Sequence, residues 1–192
     1  MKIMEENRFG PVRGFTDAHI YWTMYNLYEG YAHSRKGLAA LTGLTEGRIK
    51  SILNMLKEKE MITTTIKGIT VTDRGQEFIE GIPIRPADTH RDGNGDFVAG
   101  VIVSGVSSNV SDGTDVRDDG IRAGADKCAL ALIRNGAAVL IPPWDLCDDF
   151  LYTVSEMVSR AELVSDDVLI MCSSGNVHIA LNSATALAMN LI

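Results

Sequence analysis

The stretch SRKGLAALTGLTEGRIKSILNMLKEKEMITTTIKGITVT, residues 34–72, leaves this chain few ways to fold. Ser34 offers a hydroxyl that caps the free N–H groups of a first helical turn. The helix it opens carries Leu38, Ala39 and Leu41 inward and stops at Gly43, a residue suited to the left-handed turn that ends helices. A second helix starts after Thr45 and runs to about Glu60, with Ile49, Ile52, Leu53 and Leu56 spaced i, i+3, i+4, i+7. Its other face carries Glu46, Arg48, Lys50, Ser51, Asn54 and Lys57. Two runs of β-formers follow, 62–66 and 69–72, joined at Lys67-Gly68.

Helix, tight turn, helix and β-hairpin in that order make a winged helix-turn-helix. The segment LAALTGLTEGRIKSILNMLKEKEMITTTIKGITVTDRGQEFI resembles the winged-helix DNA-binding domain of prokaryotic transcription regulators, over about residues 15–82. The second half, through VRDDGIRAGADKCALALIRNGAAVLIPP, is similar to archaeal winged-helix proteins that end in a small α/β domain of uncharacterised function. The resemblance implies transcription regulation through duplex DNA.

A net charge of −7 looks wrong for such a task until it is divided. Residues 1–84 carry 11 Lys and Arg against 10 Asp and Glu, a balance of +1; residues 85–192 carry 7 against 15, a balance of −8. The acidity belongs to the second half, and a basic face on the first remains open. Hydrophobic residues make up 45% of the chain, enough for a packed core. No apolar run reaches the ~18 residues of a membrane span, and MKIMEENRFG lacks the apolar core of a secretory signal. Cys128, Cys147 and Cys172 are odd in number, far apart in sequence and in no CxxC or Cys/His spacing. Neither a zinc site nor a disulfide framework is expected, and a reducing cytoplasm fits.

Residues 1–14 read as an irregular arm. A helix follows from a Thr16 cap to about Ala32, with Ile20, Met24, Leu27, Tyr28 and Tyr31 near helical spacing. Tyr21, Trp22 and Tyr25 widen that stripe, either because the helix packs on two sides or because it meets a partner. After the hairpin, Thr72 caps a further helix that brings Phe78, Ile79 and Ile82 to the core. PIRPADTHRDGNG, with its prolines, glycines and charges, reads as a linker over 85–95. The domains expected are thus 1–84, a winged helix, and 96–192, an α/β unit.

That second unit alternates. Strands are expected at 97–106, 128–134, 137–141 and 168–172, with Asn135-Gly136 as a hairpin turn. Helices are expected from a Thr114 cap through Asp126 with Ile121, Gly124 and Ala125 inward, from an Asp145 cap with Leu146 and Phe150 inward, and over 176–191. The order β-α-β-β-α-β-α is ferredoxin-like with an extra helix, and predicts four antiparallel strands with helices on one face. The fold class expected is α+β.

Among polar groups, Arg48 and Asn54 suit base edges, while Arg35, Lys36, Lys50 and Lys67 suit phosphates; Thr45 and Ser51 lie beside them. Gly47 sacrifices helix propensity of about 1 kcal/mol, a sacrifice that would let another backbone approach. Asp92-Gly-Asn94-Gly-Asp96 imitates a calcium loop but has Phe97 at position six and Val103 at position twelve, so no metal is expected. Asp145, Asp148 and Asp149 read as helix-capping carboxylates. Two polar loops, Ser107-Ser108-Asn109 and Ser173-Ser174 with Asn176, precede helices and could hold a small polar or anionic effector. The strands they end are expected at opposite edges of the sheet. No catalytic constellation surrounds Cys172, Ser174 and His178, so an enzyme and a cofactor are not expected. The function expected is a cytoplasmic, homodimeric DNA-binding regulator with a C-terminal effector or dimerisation domain. The alternatives are a protein- or RNA-interaction module built on the winged helix and, third, an enzyme seated in the C-terminal domain.

Overall fold

The computed structural model describes residues 2–3, 14–110, 113–141 and 147–192, and the chain divides between Ile82 and Pro83 into two compact units. The N-terminal unit opens with α1 (Asp17–Tyr28), started by a reciprocal cap in which the Thr16 N–H donates to His19 Nδ1 at 3.1 Å. The helix is shorter than its apolar spacing suggests, because Gly30 takes a left-handed φ of +75° two residues past its end. Ile20, Tyr21, Trp22, Met24 and Leu27 are all buried, so α1 packs on two sides; Tyr28 at its end and Tyr31 just beyond it are exposed rings. Burial raises the Tyr25 phenol to about 12, with the Glu29 carboxylate adding to the shift.

Helix α2 (Arg35–Thr42) begins where Ser34 Oγ accepts the Gly37 N–H at 3.1 Å and ends at Gly43, φ +71°. Leu38 is buried, but Leu41 faces outward, contrary to the inward placement its spacing suggests. Helix α3 (Glu46–Glu58) buries Ile49, Ile52, Leu53 and Leu56, each contributing about 1.5–3 kcal/mol by leaving water. Strands β1 (Ile62–Thr65) and β2 (Gly68–Val71) pair antiparallel with Thr65 opposite Gly68, so the loop is Ile66-Lys67 and lies one residue earlier than expected. Gly68 decides that position. Its φ is +112°, and an added Cβ would sit 2.6 Å from the His33 carbonyl oxygen, which accepts the Ile69 N–H at 3.0 Å. Helix α4 (Asp73–Glu80), capped by Thr72, closes this core with Ile79, and Ile82 just beyond it is buried too. Helices with a wing-like hairpin are the architecture here.

The C-terminal unit is a five-stranded sheet. The presumed linker is in fact β3 (Ile84–Arg91), paired antiparallel with β4 (Phe97–Val103). Pro86 and the outward charges Arg85, Asp88 and Arg91 belong to an edge strand, where a missing N–H and surface charge deter further pairing; the register shifts between Pro86 and Thr89. Arg85 fastens the strand by donating to the Asp167 carboxylate at 3.0 Å and the Glu162 carbonyl at 2.9 Å. Asp92, in the stretch that imitates a calcium loop, accepts the Asn94 and Asp96 N–H groups at 3.0 Å each and so builds the β3–β4 turn.

A short 3-10 turn (Ser107–Asn109) follows β4, and α5 (Gly113–Arg122) leads to β5 (Lys127–Arg134). Ile121 of α5 points outward; Gly120 is the inward residue, and a Cβ there would overlap Cys128 Sγ. Strand β6 (Ala137–Ile141) returns through Asn135-Gly136, both at positive φ as a type I′ turn requires. Helix α6 (Asp148–Arg160) and β7 (Val168–Ser174) precede α7 (Val177–Leu191), which Asn176 caps by accepting the His178 N–H at 2.9 Å. The Asp145 and Leu146 roles and the Thr114 side-chain cap lie outside what the structure describes.

The strand order is β3-β4-β7-β5-β6, all neighbours antiparallel. Two expectations are corrected. The last strand, β7, runs between β4 and β5, so the sheet is not the four-stranded ferredoxin-like one. Helices also cover both faces: α6 packs Phe150, Val154 and Met157 on Val98, Ile102, Leu169 and Met171, while α5 and α7 take the opposite face. The cause is written in β4 and β7, whose runs FVAGVIV and VLIMCSS are apolar or small without alternation and are buried on both sides nearly throughout. Cys128 and Cys172, far apart in sequence, are register partners on β5 and β7.

Candidate nucleic-acid interface

The basic candidates come from three elements of the N-terminal unit. Arg35 begins α2, Lys50 and Asn54 project from the solvent face of α3, and Lys67 sits at the hairpin loop. Arg35, Lys50, Asn54 and Lys57 line one open pocket of about 270 Å³ between α3 and the hairpin, with Leu53, Ile62 and Ile69 as apolar lining. No acidic side chain lines it. Three cations and an amide above an apolar floor have the chemistry for a nucleic-acid strand: cations could neutralise phosphates and an amide could pair with a base edge.

The other candidates divide. Lys36 is exposed on α2 but does not line the pocket. Thr45 is spent on capping, its hydroxyl accepting the Arg48 N–H at 3.4 Å, and Ser51 Oγ donates back to the Gly47 carbonyl at 3.3 Å. The Arg48 guanidinium lies against Gly14, where an added Cβ would be 2.7 Å from Nη2. Arg48 therefore braces the N-terminal approach to α1 and stands apart from the pocket. Ile66 at the hairpin tip is fully exposed beside Lys67, and the sequence reading passed over it. Ile66 is the first residue of the two-residue loop and not the end of the first strand, so no cross-strand partner covers it.

Among the described residues a Cβ at Gly47 would meet only Thr45 Oγ1, at 4.0 Å, and none of them requires a glycine there. Gly47→Ala is expected to raise stability by about 1 kcal/mol, read as a higher urea midpoint at unchanged slope. An unchanged or lower midpoint would show that the site is already crowded.

The two polar loops of the C-terminal unit do not form one site. β4 and β7 are neighbours, not opposite edges, and they run antiparallel, so Val103 pairs with Val168 while Phe97 pairs with Ser174. The loop after β4 and the loop after β7 thus leave opposite ends of the sheet, roughly 20 Å apart at 3.4 Å per residue. Their polar groups are also largely engaged. Ser107 Oγ donates to Asp166 at 2.9 Å, Asn109 Nδ2 donates to the Leu191 carbonyl at 2.8 Å, and Ser108 Oγ lies 3.5 Å from Asn109 Oδ1. Ser174 Oγ accepts the Asn176 N–H at 3.4 Å, while the buried Ser173 Oγ has no hydrogen-bond partner among the described residues. Burial lowers the His178 imidazole. A separate pocket of about 180 Å³ lies by the β3 irregularity, lined by Arg85, Arg160, Ile102, Met157 and Leu169 among others. Among the described residues there is no cluster of three His, Cys, Asp or Glu able to hold a metal, and no helix long and apolar enough to cross a membrane.

A chain with this sheet at its C-terminal end can be placed among known proteins. Residues 94–191, just over half the chain, match the family described as a domain of unknown function, DUF4443, and the chain belongs to that family. Among solved structures it is similar to the hypothetical protein PH0730 from Pyrococcus horikoshii OT3, with a TM-score of 0.75 and 19% identity over 92% of each chain. At that identity the likeness is one of fold. No curated protein matches the chain.

Proposed function

We propose that this chain is a duplex-DNA-binding transcription regulator, with a winged helix-turn-helix as its reader and the C-terminal α/β unit as its effector or dimerisation domain. The observation that carries the reading is the acid-free pocket lined by Arg35, Lys50, Asn54 and Lys57 in a chain whose overall charge is −7. The protein as a whole repels phosphate, so a local cationic face is the part fitted to meet it. Arg35, Lys50 and Lys67 are assigned to phosphates and Asn54 to a base edge. Gly47, uncrowded by the described residues, leaves the start of α3 open to a sugar–phosphate backbone.

The test is a salt titration of the whole chain on sheared genomic duplex from its own source. Affinity should fall steeply with salt, and Lys50→Ala should flatten the log–log slope by about one unit. Absence of salt-sensitive binding to any duplex removes the reading. A regulator that reads two half-sites one helical turn apart is a two-fold dimer, so light scattering should give the mass of two chains; one chain, with and without DNA, contradicts that part.

Ile66 favours a second reading, a protein-interaction module, because a fully exposed isoleucine beside a lysine also suits a mixed protein surface. If Ile66→Asp and Lys50→Ala both leave duplex binding unchanged, this reading replaces the first.

A further inference from the structure

The C-terminal sheet holds two thiols that the DNA-binding reading does not use. Cys128 on β5 and Cys172 on β7 sit directly opposite each other in the antiparallel ladder, with their sulfurs 2.9 Å apart. Both side chains point to the face covered by α5 and α7, and both are sealed from solvent, at 1% and 0% exposure. The third thiol, Cys147, is exposed at the start of α6. Directly opposite residues of antiparallel strands hold their Cβ atoms about 4.5–5.5 Å apart, and a disulfide needs about 3.5–4.5 Å, so a small approach of the strands suffices. The space has been prepared as well. Gly120 of α5 lies over Cys128, where any Cβ would collide with Sγ.

We infer that Cys128 and Cys172 are a covalent modification site: they close to a disulfide that ties β5 to β7 in the interior of the sheet. The oxidant is a small-molecule disulfide. One protein thiolate attacks it, forming a mixed disulfide and releasing one small thiolate. The second protein thiolate attacks the protein sulfur of that mixed disulfide and releases the other. The two protons lost from the cysteines end on the two small thiols, so one disulfide is reduced as one is made. Burial pushes the Cys172 thiol well up, with Cys128 adding to the shift, which makes the folded pair a poor nucleophile. The exchange therefore belongs to the folding chain, before α5 and α7 close over the sheet, and the finished bond is shielded from reductants by the same helices.

The experiment refolds the reduced full-length chain from denaturant with and without a mixture of oxidised and reduced glutathione. Each product is then reunfolded, alkylated and digested. The oxidised product should yield a peptide pair joining Cys128 to Cys172, with Cys147 outside the bridge, while the reduced product yields three alkylated cysteines. The two sulfurs enclose a span of 44 residues. A cross-link of that span should raise the thermal midpoint of the oxidised chain by roughly 10 °C, a rise that vanishes in the Cys128→Ala/Cys172→Ala double variant. Three alkylated cysteines after oxidative refolding, or a bridge that includes Cys147, overturns the inference without help from any variant.

Discussion

Gly75→Val should abolish the native packing of the N-terminal unit. Gly75 is buried in the first turn of α4, and its Cα faces the main chain of Met61. A Cβ there would overlap the Met61 carbonyl oxygen, and would stand 2.8 Å from Val71 Cγ1 and 3.0 Å from the Met61 carbonyl carbon. That main chain has no freedom to retreat. Met61 O accepts the Thr72 N–H at 3.0 Å, Met61 N donates to Leu56 O at 2.9 Å, and Thr72 Oγ1 donates to the neighbouring Glu60 carbonyl at 2.7 Å. In an exposed helix, replacing a glycine adds about 1 kcal/mol of stability, as expected at Gly47. Here overlap reverses the sign, and a branched side chain exceeds the usual 1–3 kcal/mol of overpacking. The measurement is amide hydrogen exchange on the full chain. Protection should be lost across α1 to α4 and kept in β4 and β7; native protection throughout would show that α4 does not sit so close to Met61.

Phe150→Ala should have the largest effect in the C-terminal unit. The ring is fully buried in the first turn of α6, between that helix and the face formed by Val98, Ala129, Ala131, Leu169 and Met171. Its removal costs transfer energy and leaves a cavity, together about 3–5 kcal/mol. The ring also lies 5.6 Å from Lys127 Nζ, which pairs at 3.3 Å with a fully buried Asp92 carboxylate. Losing it admits water beside that ion pair. Calorimetry should place the midpoint roughly 10–20 °C lower for a unit of this size. Phe97→Ala is the comparison: that ring is half-buried under the Arg91 guanidinium at 3.9 Å and should cost much less. Equal losses for the two phenylalanines would remove α6 from its assigned place on the sheet.

What could be read from sequence was what is decided locally. Ser34, Thr45 and Thr72 cap helices within three residues of themselves, Gly43 ends one, and Asn135-Gly136 turns a hairpin. Each of these needs only its immediate neighbours. The failures concern which long-range partner an element meets. Leu41 and Ile121 have apolar character but no core opposite them, and spacing alone does not say where the core lies. The strand at 84–91 was masked by Pro86 and its charges, which serve an edge and mimic a linker. The two-sided burial of β4 and β7 was legible in their lack of alternation. The place of β7 between β4 and β5 was not, since strand order depends on pairings across the whole unit. The candidate site shows the same division: Arg35, Lys50 and Asn54 gather because short-range structure brings α2, α3 and the hairpin together. The two serine loops, expected on strands at opposite edges of the sheet, in fact end neighbouring strands, and an antiparallel register that no local signal reveals sends them to opposite ends.

The edge strand has a practical meaning for anyone cutting this protein into pieces. The family match begins at residue 94, so a fragment designed on it starts after β3 and strips the outer hydrogen-bonding edge from β4. The seven residues so exposed, FVAGVIV, carry no charge and no proline, and six of them are buried in the intact unit. Such a strand recruits any other strand of like character, and a second copy of the fragment is the nearest supply. A start at residue 88 cuts β3 in half and uncovers part of the same edge. Solubility of the isolated unit therefore turns on the eleven residues, 83–93, that the family match omits, and a fragment beginning at Pro83 keeps its own aggregation guard.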